Sequence, residues 1–168
     1  MYKELQEKKV LIFGCGNTLM GDDGFGPAVA DLLATQYTLP DFAHAEDVGT
    51  RVRELLFNIT VLDKRPEHII VLDAVDKPLR SPGEVFEIYA DEIPEQKIAD
   101  YSFHQFPTTN LLKELKELCG VKVTIIAAQV SGKLEEVGAG LSPQIQEAVK
   151  VAAEKVMQIL EGMTRENS

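Results

Sequence analysis

Val10-Leu-Ile-Phe-Gly-Cys-Gly-Asn-Thr-Leu-Met-Gly-Asp-Asp-Gly-Phe-Gly-Pro27 begins with four apolar, β-prone residues, halts them at Gly14 and Gly16, and continues as a loop rich in glycine and aspartate. A short apolar run closed by glycines reads as a strand buried on both faces. From Gly26 onward Val29, Leu32 and Leu33 recur at helical spacing. Pro27 suits the first turn of that helix, where its missing N–H would have no partner. Strand, Gly-rich loop and helix in that order form the first unit of a sheet whose strands are joined by helices.

The same alternation continues outward. Ala43 to Val48 reads as a weaker strand, and a helix from about Thr50 carries Val52, Leu55, Leu56, Ile59 and Leu62. His68 to Val75 is a second strongly apolar strand. Glu84 to Tyr89, after Pro82-Gly83, alternates like a strand with one wetter face, which places it at a sheet edge. Thr108 or Thr109 can cap a helix bearing Leu111, Leu112, Leu115 and Leu118, ended by Gly120; Lys122 to Gln129 is the next strand. Ser142-Pro143 offers an N-cap and a first-position proline for a long helix with Ile145, Val149, Ala152, Val156, Ile159 and Leu160 on one side. Thr164 to Ser168 is polar and reads as a frayed tail, leaving residues 1–163 as a single domain. The predicted class is α/β, with a mostly parallel sheet between helices and ligands expected beyond the carboxyl ends of its strands.

Composition narrows the partners. At 168 residues and 45% hydrophobic content the chain can build one continuous core. Seventeen basic against 27 acidic residues give a formal charge of −10, the wrong sign for nucleic acid or an anionic membrane. Cys15 and Cys119 are far apart and outside any C-x-x-C pattern, which argues against a disulfide framework and for a cytoplasmic protein. Met1 to Lys9 is polar, and the apolar run after it is too short for a signal peptide or a membrane span.

Polar residues at the predicted strand ends carry the chemistry. Gly14-x-Gly16 matches a dinucleotide-binding fingerprint for three residues only, because Leu19 stands where the third glycine belongs, so these glycines read as turn geometry. Asp22-Asp23 either caps the following helix or presents an oxygen ligand. Asp73 ends a strongly apolar strand, where a carboxylate is costly unless paired, hydrogen-bonded or bound to a cation. His104 lies between Phe103 and Phe106, just before a helix. Asp23, Asp73 and His104 together are a sufficient set for a three-ligand site with open positions on a borderline divalent metal. His44 and His68 stand near strand starts, where structural or surface roles are expected, and Cys15 reads as a packing residue. Gln129 and Ser131 could line the same crevice, and Asp76 could orient Asp73. Phe25, Phe103 and Phe106 are either apolar contacts near the site or core residues.

Four motifs in order carry a resemblance: Gly16-Asn17-x-Leu19-x-x-Asp22-Asp23-Gly24-x-Gly26, Asp73-Ala74-Val75-Asp76, Ser102-x-His104-Gln105 and Gly140-Leu141-Ser142-Pro143. Over nearly its whole length the chain resembles the [NiFe]-hydrogenase maturation endopeptidases. The resemblance implies a twisted five-stranded sheet between helices, with metal contacts from Asp23, Asp73 and His104. Whether Asp22 could stand in for Asp23 stays open. It also implies removal of a C-terminal extension from the hydrogenase large-subunit precursor, with nickel supplied by that precursor and no organic cofactor. Gly24 to Pro27 and His104 to Pro107 resemble the enzymes serving coenzyme F420-reducing hydrogenases of methanogenic archaea. The alternatives are a phospho-receiver signalling domain, a nucleotide-binding module and a metal-dependent hydrolase of small molecules. The receiver places its acids at the strand end, whereas Asp22 and Asp23 come nine and ten residues after Phe13.

Overall fold

The structure, a computed structural model, describes residues 2–77, 79–89, 106–130, 138 and 140–166. Its elements in chain order are α1 (Tyr2–Glu7), β1 (Val10–Cys15), a 3-10 turn (Gly21–Gly24), α2 (Phe25–Gln36), β2 (Ala43–Gly49), α3 (Val52–Thr60), β3 (His68–Val75), β4 (Val85–Tyr89), α4 (Phe106–Cys119), β5 (Lys122–Gln129) and α5 (Pro143–Glu166). The five strands form one sheet in the order β2-β1-β3-β5-β4. All neighbours are parallel except β4, which runs antiparallel to β5 at the edge.

Every residue of β1 and β3 is buried, because each has a strand on both sides and helices on both faces. Leu11, Phe13, Ile69 and Val71 point into the layer with α1, α3 and α4. Val10, Ile12, Ile70 and Leu72 point into the layer with α2 and α5. Phe25 belongs to the second layer and is fully buried, so of the two roles open to it the structure selects core packing.

Several boundaries differ from the sequence pattern: β1 runs on through Gly14 to Cys15, and α3 ends at Thr60, which leaves Leu62 beyond the helix. Helix α1 has no counterpart in the sequence pattern, since six residues are too few to show a period; Leu5 anchors it in the core, and burying one leucine contributes about 2 kcal/mol. Helix α4 starts at Phe106, ahead of the expected threonine caps. Helix α5 continues through Glu166, so Thr164 to Glu166 are helical where a tail was expected. Thr164 Oγ1 donates to the Leu160 carbonyl within that last stretch. Among the described residues no helix is long and apolar enough to cross a membrane.

From β1 the chain crosses to β2 on one side, and from β2 it returns to β3 on the other. The carboxyl ends of β1 and β3 therefore flank the topological switch point, where such sheets open a crevice. Gly14 is opposite Leu72, which makes Cys15 and Asp73 the next residues along their strands.

Candidate functional site

The loop after β1 is crowded into place by glycines. A side chain at Gly26 would collide with the carbonyl oxygens of Cys15 and Leu72, and one at Gly14 with the Gly26 carbonyl. The first turn of α2 thus lies directly on the ends of β1 and β3. Gly16 sits at φ +140°, and a Cβ there would strike the Asp23 backbone. The expectation that Gly14 and Gly16 serve turn geometry alone is therefore too narrow: close approach of α2 and Asp23 also demands them.

Asp23 lies in the 3-10 turn and is 2% exposed. Its Oδ2 accepts the Asn17 backbone N–H at 2.8 Å, while Asn17 Oδ1 accepts the Leu19 N–H at 2.9 Å. A carboxylate immediately before α2 is also favoured by the partial positive charge of that helix end. Asp73 is 7% exposed on β3, on the same face as Val71 and Val75. Burial pushes the Cys15 thiol well above its ordinary range, and the carboxylates of Asp73, Asp23 and Asp47 push it further. One buried atom group therefore feels both candidate aspartates, 50 residues apart in sequence.

Asp22 has a different task. Ser142 donates to it at the start of α5, so the acid that could have replaced Asp23 is held toward that helix. The loop is clamped further along: the Gly21 N–H donates to the Gly138 carbonyl at 2.7 Å, and the Gly138 N–H to the Leu19 carbonyl at 2.9 Å. Neither tie is visible in the sequence, because nothing local links positions 19–22 to 138–142.

Gln129 is buried, and its amide locks the turn after β3: Nε2 donates to Asp76 at 3.1 Å and Oε1 accepts the Lys77 N–H at 2.8 Å. Asp76 is thus engaged by Gln129, and the pair holds the chain directly beyond Asp73. His68 sits at the opposite end of the sheet, buried and 2.8 Å from Thr124 Oγ1. Burial, helped by Lys122, pulls its pKa down to about 4. His44 lies 3.4 Å from Glu46 on β2. His104, Ser131, Phe103 and the side chain of Phe106 lie outside the described residues.

Among the described residues no three His, Cys, Asp or Glu side chains gather closely enough to hold a metal ion. Asp23 and Asp73 supply two buried carboxylates at one strand end, a hard-oxygen pair whose chemistry fits a divalent cation but leaves its shell incomplete.

A family model described as hydrogenase maturation protease (HycI) matches residues 27–159. A putative hydrogenase maturation protease of Methanocaldococcus jannaschii is 36% identical over 156 residues, spanning 91% of this chain and 97% of that one. The coenzyme F420 hydrogenase subunit delta of Methanothermobacter thermautotrophicus is 28% identical over 159 residues, spanning 90% and 94%. Among solved structures, the hydrogenase maturating endopeptidase HybD from Escherichia coli superposes with a TM-score of 0.76 at 26% identity, covering 92% of this chain and 93% of that one. A phospho-receiver would instead have a 2-1-3-4-5 strand order, which the antiparallel β4 at the edge does not allow.

Proposed function

The chain belongs to the hydrogenase maturation protease family and is an endopeptidase of that kind; we propose that it removes the C-terminal extension of a nickel-loaded [NiFe]-hydrogenase large-subunit precursor in the cytoplasm. Asp23, Asp73 and His104 are the residues that would contact the nickel. The observation that carries this reading is that Asp23 and Asp73 are both buried and that both, after burial itself, raise the Cys15 thiol at the carboxyl end of β1.

Two carboxylates and one imidazole make an incomplete shell, suited to an ion that a client protein already holds. Such an ion, when bound, supplies Lewis acidity to the scissile carbonyl. The chain's own groups do the rest. The Asn17 N–H fixes Asp23 so that the loop presents its carboxylate toward the strand ends. Asp73 comes from the centre of the sheet, one residue past the last β3 residue paired with β1, and is itself paired with Ala127 of β5. One of these aspartates takes a proton from the attacking water and delivers it to the leaving amine nitrogen as the peptide C–N bond breaks.

His104 precedes α4 by two residues. Helix α4 ends at Cys119, close to the start of β5, so its Phe106 end points away from the strand starts and toward the carboxyl ends. That direction is what favours His104 as the third contact.

The test is processing of candidate large-subunit precursors, with and without nickel, by the wild type and by Asp23→Ala, Asp73→Ala and His104→Ala. The expected result is a mass loss with nickel-loaded precursor and wild-type enzyme, and none with any variant or with nickel-free precursor. Normal processing by all three variants refutes the site.

A further inference from the structure

Along β2 runs a cleft of about 630 Å3, walled by Pro27, Ala28, Asp31 and Ala34 of α2 and by His44 and Glu46 of β2. It lies on the rim of the sheet, since β1 is the one strand paired with β2 among the described residues. We infer that an extended, cationic segment of the protein substrate docks here as an added strand beside β2, an inference that rests on the reading of this chain as a protease of a protein precursor.

An edge strand presents a row of backbone N–H and C=O groups that another extended chain can pair with. The added strand would lie about 4.8 Å from β2. The α2 wall leaves room for it, because one proline and three alanines stand where longer side chains would fill the space. Strand β2 is seven residues long, and the alternate residues whose N–H and C=O face away from β1 can pair with a segment of comparable length.

Charge selects the occupant. Asp31, Glu46 and Asp47 line the cleft with His44, and its described lining contains neither lysine nor arginine. Asp47 also accepts the Gly49 N–H at 2.8 Å, which keeps it at the strand end. Carboxylates along an edge repel an acidic strand, including a second copy of this chain with its charge of −10. A segment carrying lysine or arginine is attracted instead.

The cleft is continuous with the proposed site. Thr18, Gly21 and Gly24 belong both to its wall and to the loop that carries Asp23. The Gly16 N–H donates to the Gly49 carbonyl at 2.9 Å, which joins that loop to the carboxyl end of β2. A chain paired with β2 would therefore be led over Gly21 to Gly24 toward Asp23 and Asp73.

Hydrogen exchange of the wild-type enzyme with a nickel-loaded large-subunit precursor tests the placement, and the charge-reversed variant Asp31→Lys/Glu46→Lys tests the selection. Expected are slowed exchange of amides in Ala43–Gly49, matching protection of a Lys- or Arg-bearing segment of the precursor, and a KM raised about tenfold in the variant with kcat within about twofold. The wild-type KM should rise with added salt, and that of the variant much less. Processing by the wild type without protection of β2, or with an unchanged KM in the folded variant, overturns the docking while leaving the protease reading intact. A wild type that neither binds nor cuts any precursor overturns both.

Discussion

Ser142 donates its backbone N–H at 2.7 Å and its hydroxyl at 3.0 Å to the two carboxylate oxygens of Asp22, so the residue before α5 is tied to the loop after β1. Asp23, the next residue, points the other way, against Gly16 and the Asn17 N–H. Two adjacent acids thereby take separate duties, one holding the loop and the other serving the candidate site.

Asp22→Ala is expected to cost about 2 kcal/mol, the scale of losing two charge-assisted hydrogen bonds. For a domain of this size the melting temperature should fall by about 6 °C. The folded variant should retain a measurable share of precursor processing, whereas Asp23→Ala retains none. Unchanged stability with complete loss of processing would instead make Asp22 the ligand.

Gly26→Ala should prevent folding or cost more than about 3 kcal/mol, because the new methyl meets two backbone carbonyls that cannot yield. Gly21→Ala is the contrast. Nothing surrounds a Cβ there, so only the strain of its φ of +55° is at stake, about 1 kcal/mol. Thermal melts of the two variants give the comparison; equal losses would contradict the close packing of α2 on the strand ends.

His68 makes stability depend on pH. Unfolded, it takes a proton below about 6.5; folded, only below about 4. Between those values unfolding binds a proton, so stability falls as the pH drops through the window and levels off below it. The effect is on the order of 3 kcal/mol when complete. Denaturant midpoints measured from pH 7 to pH 5 should decline more steeply for the wild type than for His68→Gln, which keeps a polar partner for Thr124. Parallel profiles would show that His68 is not the source.

Cys15 should be inert. Its thiol is buried and raised by its surroundings, so iodoacetamide at pH 8 should label the native chain only at Cys119, which is partly exposed. Cys15→Ala should still process precursor. Rapid native labelling at Cys15 would reopen a nucleophilic role.

Local pattern determined much of this protein. The apolar runs at Val10 to Phe13 and His68 to Val75 mark central strands because only a strand covered on both faces can be apolar throughout. Alternation in Glu84 to Tyr89 marks the edge, and Ser142-Pro143 and Gly120 mark helix ends. Four ordered motifs were enough to indicate the family and to single out Asp23 and Asp73. Tertiary structure decided what depends on residues distant in sequence: which of Asp22 and Asp23 faces the strand ends, why Gly14, Gly16 and Gly26 admit no side chain, how Gln129 locks the turn after Asp73, and where a cleft opens beside β2. Periodicity and propensity report on neighbours within a turn or a strand. Contacts spanning 50 to 120 positions exist only once the sheet has assembled.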